Sequence, residues 1–453
     1  MAKGGGDRKG LAANGDEPSD HPITIIGRVG LSLSAALKRS SVCQLSPVLC
    51  CSIFFSSSSS HFRFLMSPPC SFSPSSASSS SDIPSEGQAQ QNGQVLAPRP
   101  LPTWEEIRAA VPKECFEKSL LRSLYYLAID LLAIGFLYAV VPFVETKFGL
   151  IGLFFWYCLL GMFLSSLFCV GHDCGHGTFS DWTWVNDIFG HISHALLMVP
   201  FWPWQKSHRQ HHQFTSHVDK DKGHPWVLED DYEGGGWLRK HFAKIPLSGL
   251  IRWNPIYTVA GLPDGSHFWP FSRLFSNNTE RFKCAISSSL CLLTSWAIFV
   301  LLDHSPWAFL KYYYVPLMFQ GYWMVIITYL QHQDEQIEVY EEGNWAFVKG
   351  QLQTYDREYG FGIDHAMHHI TDGHVAHHFF FTRIPHYHLP EATKSIRKIM
   401  EKYPGAYKRK SNYDFLLQFL WMNVKLDCLV GKGSGLLKYR TTARREERQQ
   451  KED

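Results

Sequence analysis

The stretch FWYCLLGMFLSSLFCVGHDCGH, Phe155 to His176, decides the architecture. From Phe148 to Val170 the chain carries no charged side chain, and that run matches the roughly 20 apolar residues a helix needs to cross a bilayer. Directly beyond it stand His172 and His176. On a helix of about 3.6 residues per turn, positions four apart lie one above the other on one face. A membrane span that runs straight into two aligned imidazoles predicts a polar, ligand-bearing site at the edge of the lipid.

Three more stretches have bilayer length: Leu124 to Val144, Cys284 to Leu302 and Tyr312 to Leu330. The links Glu145–Lys147 and Asp303–Lys311 are short, so the spans pair into two helical hairpins. Asp130 in the first span is expected to face the bundle interior, as polar residues within spans do. Two hairpins entering from one side place the N-terminal region, the long middle loop and the C-terminal region together. Those regions hold nearly all the Lys and Arg, which marks that face as cytoplasmic. Ile188 to Trp204 and Leu247 to Leu262 are apolar but broken by Pro, His and Arg and read as interfacial or re-entrant segments. The fold class is an all-α membrane protein, with four transmembrane helices in two hairpins and a cytoplasmic helical cap.

Composition narrows the function. The 453 residues are 45% hydrophobic, 15% aromatic and 19% charged, with a mean hydropathy of -0.14, which excludes a disordered chain and argues against a wholly soluble one. A net charge of +2 argues against a nucleic-acid binder. The 11 Cys are scattered without C-x-x-C spacing and suit neither a disulfide scaffold nor a thiolate zinc module. Residues 1–100 hold the serine runs Ser56–Ser60 and Ser78–Ser81 and read as a disordered leader, either dispensable or organelle-targeting. Thr103, ahead of Glu105 and Glu106, is the expected first helix cap. Residues 101–440 form the membrane domain with its cap, and 441–453 a charged tail.

The remaining signal is histidine. Of 23, 17 fall in two windows, Gly171 to His224 and Asp364 to His388. Besides His172 and His176 there are two H-x-x-H-H clusters, His208-His211-His212 and His374-His377-His378. Within each, the outer His shares a face with those at i+3 and i+4, while adjacent His point about 100° apart, so one cluster reaches two ions. His368, with Asp364 one turn earlier, is a ninth ligand candidate. Nine imidazoles divide over two metals with four or five ligands each. Imidazole suits Zn, Cu, Fe and Ni; two nitrogen-rich, redox-capable ions beside a bilayer point to oxygen activation by iron on an apolar substrate. A lone H-x-x-x-H pair carries little weight; two H-x-x-H-H clusters with it on one membrane face are specific.

These residues resemble the three histidine boxes of the membrane-bound di-iron fatty acid desaturases. The resemblance is nearest to the methyl-end acyl-lipid desaturases (Δ12 and ω3 types), especially those of invertebrate animals. It is carried by HDCGHGTFSDWTWVND at His172–Asp187, PFWPWQKSHRQHHQFTSHVDKDKGHPW at Pro200–Trp226, WNPIYTVAGLPDGSHFWP at Trp253–Pro270, ITYLQHQ at Ile327–Gln333 and HVAHHFFFTRIPHYHLPEAT at His374–Thr393. It covers roughly Pro102 to Tyr439. It implies box ligands at His172, His176, His208, His211, His212, His374, His377 and His378. It also places an extra helix ligand on His368 and a water-holding neighbour on Asp364. His369 stands where the family usually has Asn, and spacing favours His368 over it. Asp173 and Asp181 are candidates for holding ligand imidazoles in the right tautomer, with solvated surface carboxylates as the equal alternative. His191, His194, His217, His224, His386 and His388 read as packing or supporting residues, and Trp202, Trp204 and Trp226 as interfacial belt residues first.

The resemblance implies two iron ions (Fe2+/Fe3+), O2 as co-substrate, and an acyl-lipid substrate, phospholipid-bound, taken from the bilayer. It implies Δ12 chemistry, oleoyl to linoleoyl, with ω3 desaturation as the alternative, in the endoplasmic reticulum or, if the leader is a transit peptide, a plastid membrane. No His-Pro-Gly-Gly haem segment is present, so the electrons come from a separate donor, in this family cytochrome b5 with its reductase. A hydroxylase, epoxygenase or conjugase would use the same boxes. A His-rich metal transporter is the competing class, but it needs ligands near the bilayer midplane.

Overall fold

The computed structural model of the chain describes residues 100–224, 226–411 and 413–452; the Ser-rich leader lies, but for its last residue, outside them. Helix α1 (Trp104–Ala110) opens on the expected cap: Thr103 Oγ1 accepts from Glu106 N, and the Glu106 carboxylate accepts from Thr103 N.

Helix α2 (Leu120–His176) has 57 residues, about 85 Å if straight at 1.5 Å per residue and nearly three times a hydrocarbon core of about 30 Å. It is not straight. Gly149 takes φ 57° and ψ -140°, a conformation that a side chain would strain, and the chain reverses there. Trp156 Nε1 donates to Leu137 O at 2.8 Å and the Tyr138 and Trp156 rings lie 5.5 Å apart, so the two limbs run antiparallel. The first hairpin expected from the sequence is thus present. Leu150, Ile151 and Phe155 on its outer faces are exposed, as lipid-facing residues would be.

After His176 come α3 (Thr183–Ala195) and α4 (Phe201–Gln213), so the apolar run Ile188–Trp204 is two short helices meeting at a turn. Next are α5 (Asn278–Leu301) and α6 (Val315–His332). Among the described residues, two helices, α2 and α5, are long and apolar enough to cross a membrane. A short helix and a wide turn, Pro306–Tyr314, run directly into α6. Helices α2 and α6 cross closely at Gly161, where a Cβ would fall 2.8 Å from the backbone of Phe319; nothing larger than glycine fits. Trp323 Nε1 donates to Cys158 O at 2.9 Å beside that crossing.

The remainder caps the bundle. Strands β1 (Glu338–Tyr340) and β2 (Asp356–Glu358) precede α7 (His374–Phe380) and α8 (Leu389–Met400). Strand β3 (Arg409–Ser411), α9 (Phe415–Lys425), β4 (Leu429–Val430), β5 (Leu436–Tyr439) and α10 (Arg440–Glu452) complete the chain. The expectation of a purely helical protein needs correcting: antiparallel β1-β5-β4 and parallel β2-β3 satisfy the extended backbone left when α6 ends. The charged tail is helix α10, tied to the cap by Thr442 Oγ1 to Glu335 O at 2.8 Å. Apolar packing of Ile107 and Val111 against Val375, Phe379, Phe380 and Ile396 fixes α7 under α1 and α8, which sets the position of the third His cluster.

Candidate metal centre

The end of α2 points its last turn out of the apolar bundle. Gly177 closes the helix, its N–H meeting the carbonyls of Asp173 and Cys174. That leaves His172 and His176 on one face, with their Nε2 atoms 3.2 Å apart. Helix α4 presents His208, His211 and His212, and α7 presents His374, His377 and His378. The tertiary fold gathers these into two adjoining groups. His172, His176, His208, His212 and His377 form one, and His211, His332 and His378 the other. His374 joins the second group through His332, Nε2 to Nε2 at 3.0 Å. The rings of His212 and His378, one from each group, lie 4.1 Å apart centre to centre.

The geometry fits bound metal. His212 Nε2 lies 3.0 Å from His208 Nε2 and 3.2 Å from His377 Nε2, and His332 Nε2 lies 3.3 Å from His211 Nε2 and 3.0 Å from His374 Nε2. A ring nitrogen holds either one proton or one lone pair, so such triples cannot all be satisfied by hydrogen bonds among themselves. A cation at their centre satisfies every one. Two nitrogens bound at about 2.1 Å to one ion are about 3.0 Å apart at right angles and about 3.4 Å apart at the tetrahedral angle. His378 Nε2 is buried with no hydrogen-bond partner among the described residues, an open ligand position. Burial first, and crowding of the rings second, hold His176, His208, His212, His332, His374, His377 and His378 well below the usual histidine value. They are neutral near pH 7, with lone pairs to offer.

Supporting groups orient the rings. Asp221 Oδ1 accepts from His211 Nδ1 at 2.7 Å, and its other oxygen accepts from Ser216 N at 3.1 Å. Thr215 Oγ1 and Gln351 Oε1 hold His378 Nδ1 at 3.1 and 3.0 Å. Each such bond puts the proton on Nδ1 and turns Nε2 inward. Asp173 accepts from His386 N at 3.0 Å and Nδ1 at 2.8 Å and stands 3.6 Å from His172 Nδ1; these contacts outweigh its burial and drive its carboxyl far below the usual range.

Two sequence expectations are corrected here. His368 lies outside both groups, its Nε2 2.8 Å from Asp130 Oδ2 and its ring against His386. Asp364 accepts from Tyr359 N, Gly360 N and Thr371 Oγ1 and braces a turn. For Asp181, of the two equal readings, the solvated surface carboxylate is the one seen: it is exposed and sits 3.4 Å from Lys118. The ninth imidazole is His332, the last residue of α6, inside the ITYLQHQ stretch that spacing alone left without a role. Asp221, in the first of the two histidine windows, has no helical spacing that would have singled it out. Trp204 is buried and stacked on His208 with ring centres 4.5 Å apart, a wall of the site and not a belt residue.

A cavity of about 280 Å³ opens beside the rings. Phe168, Met324, Val325 and Ile327 supply apolar walls, and His208, His211, His332 and His374 come from both groups.

A protein-family model, fatty acid desaturase, matches residues 148–411. This chain belongs to that family. The desaturase is 57% identical over 344 residues to the Delta(12) fatty acid desaturase fat-2 of Caenorhabditis elegans, covering 75% of this chain and 92% of that one. It is 49% identical over 346 residues to the omega-3 fatty acid desaturase fat-1 of the same animal, covering 76% and 85%. An acyl-lipid omega-3 desaturase (cytochrome b5), endoplasmic reticulum, of Arabidopsis thaliana is 34% identical over 352 residues, covering 74% and 86%. Family membership makes this desaturase an oxidoreductase.

Proposed function

We propose that this desaturase inserts a cis double bond toward the methyl end of an unsaturated acyl chain, Δ12 type, oleoyl to linoleoyl. The observation that carries the reading is the pair of adjoining imidazole groups facing one apolar cavity; the Δ12 relative supports the regiochemistry. Desaturation at the ω3 position is the second reading, favoured by the fat-1 relative.

The ligand set is His172, His176, His208, His212 and His377 for one ion and His211, His332, His374 and His378 for the other, both ions iron. When bound, they supply O2 activation and the removal of two hydrogens from neighbouring methylenes, chemistry that no side chain performs. The overall balance is one CH2–CH2 pair, O2, two electrons and two protons, giving one double bond and two waters. The chain's own residues do the rest. Asp221, Thr215 and Gln351 fix imidazole orientation, while Phe168, Met324 and Ile327 hold the acyl chain and keep bulk water out.

In this reading the two limbs of α2, helix α5 and the stretch from Pro306 through α6 are four spans in two hairpins, with the boxes on the cytoplasmic face. The membrane is that of the endoplasmic reticulum, the substrate is phospholipid-bound, and the electrons come from cytochrome b5 and its reductase, as the printed name of the Arabidopsis relative supports. Expression in yeast with mass-spectrometric lipid profiling tests it. Linoleoyl lipids at the expense of oleoyl lipids are expected; hydroxy or epoxy products, or no new product, would overturn it.

A further inference from the structure

One cation on the wall of the cavity has no counter-charge among the described residues. Arg252 begins the turn Arg252–Tyr257 that packs on α6 and lines the cavity together with Trp253, Leu262 and Met324. Its guanidinium donates only to neutral acceptors: Ala243 O at 2.6 Å, Ser248 Oγ at 2.9 and 3.2 Å, and Asn423 Oδ1 at 3.0 Å. Its Nη1 has no hydrogen bond among the described residues and is not enclosed by protein. Other half-buried or buried guanidiniums of the cap meet carboxylates: Arg357 meets Asp334, Arg397 meets Asp356, and Arg440 meets Asp427. No carboxylate of the described residues lies within ion-pair distance of Arg252. A half-buried cation met only by neutral acceptors and the Phe419 ring keeps an unbalanced charge that is costly to bury, and an anion from outside the chain would relieve that cost.

The placement says what sort of anion. Trp253 meets Gly321 and Gly249 meets Tyr322, on α6 about 15 Å of helix axis before His332 at 1.5 Å per residue. The backbone at Arg252 therefore packs well before His332. Its guanidinium reaches over the Phe419 ring at 5.8 Å, and that ring lies 5.5 Å from the ring of Tyr329, on the wall of the cavity that the second imidazole group also lines. Beside Arg252, Leu247, Ile251 and Ile256 expose apolar side chains, a rim suited to lipid. The ligand that matches is a long apolar chain with an anionic polar end, and a guanidinium fork fits phosphate in particular.

We propose that Arg252 recognises the phosphate group at the polar end of the acyl substrate, a deduction that rests on the desaturase reading above. Two carriers share that chemistry, a glycerophospholipid and an acyl coenzyme A. Binding of dioleoylphosphatidylcholine, oleoyl-coenzyme A and the phosphate-free dioleoylglycerol to the full metal-loaded chain in detergent, measured by native mass spectrometry, separates them. R252Q is expected to weaken dioleoylphosphatidylcholine about tenfold or more, the scale of a lost charged hydrogen bond, and to leave dioleoylglycerol unchanged. The unchanged dioleoylglycerol also reports an intact fold. A loss confined to oleoyl-coenzyme A supports phosphate recognition and assigns the thioester as carrier. Equal losses for all three, or none, overturn the proposal. Should R252Q not fold, R252K, which keeps the charge and loses the fork, decides by the same comparison. Wild-type protein that binds these lipids but forms no double bond with O2 and a reduced donor would refute the desaturase reading while leaving the phosphate site standing.

Discussion

Two single substitutions, His332→Ala and His368→Ala, separate the proposed ligand set gathered in space from the one that spacing suggests. His332 Nε2 meets His211 and His374 at 3.3 and 3.0 Å, and its removal takes the second group from four imidazoles to three. Structural zinc bound by four side chains contributes about 10–16 kcal/mol. Each ligand is then worth about 3 kcal/mol, or about 100-fold in affinity. The five imidazoles of the first group are untouched, so His332→Ala should retain about one ion per chain where the wild type retains two, after equilibration with a weak chelator and elemental analysis. His368→Ala should keep both ions. Its effect falls on stability, because Asp130 loses its 2.8 Å partner, at a cost of about 1–3 kcal/mol for a buried acceptor left unpaired. The assay pairs metal content with thermal unfolding of each variant. If His368→Ala sheds metal while His332→Ala holds two ions, the ligand assignment is wrong.

Other outcomes follow from the same geometry. Asp221→Asn should weaken metal retention about 10- to 100-fold, the usual effect of removing a carboxylate behind a ligand imidazole, seen as faster loss to chelator. Asp181→Ala should change neither metal content nor product yield, since an exposed pair such as Lys118–Asp181 contributes about 0–1 kcal/mol; a marked loss of either would restore Asp181 to the site. His194, stacked on Phe168 and beside Trp204, is held at about 3 by burial against an ordinary value of 6.5. Below pH 6.5 the unfolded chain takes up a proton there that the folded chain refuses, so stability falls as pH falls. The cost is about 1.4 kcal/mol by pH 5.5. His194→Phe should lose that much less stability between pH 7.5 and 5.5, and an unchanged pH slope in denaturant unfolding would rule out the buried neutral ring.

Much of the site was legible before folding because its spacing is local. His172 with His176, and the outer and inner His of the two H-x-x-H-H clusters, share helix faces at three or four residues in any helix, and α2, α4 and α7 are helices there. The same local rule misled at His368. Counting four residues from Asp364 presumes a helix, but that helix ends at Ala366, and His368 and His369 take positive φ of 54° and 59°. The ring therefore swings to Asp130 and not to either imidazole group. Asp221 escaped notice because its partner His211 lies across a loop, where no period applies.

Hydropathy and helical repeat, read along the chain, determined that apolar helices end in paired imidazoles, since both are properties of neighbours within a turn or a bilayer's width. Which imidazoles share an ion was decided only in three dimensions. His332 reaches His211 and His374 across 121 and 42 residues of chain, because α6 happens to end where α4 and α7 are held by the packing of the cap. The counter-charge missing at Arg252 has the same origin: a deficit of partners is a property of the assembled cavity and is written in no stretch of residues.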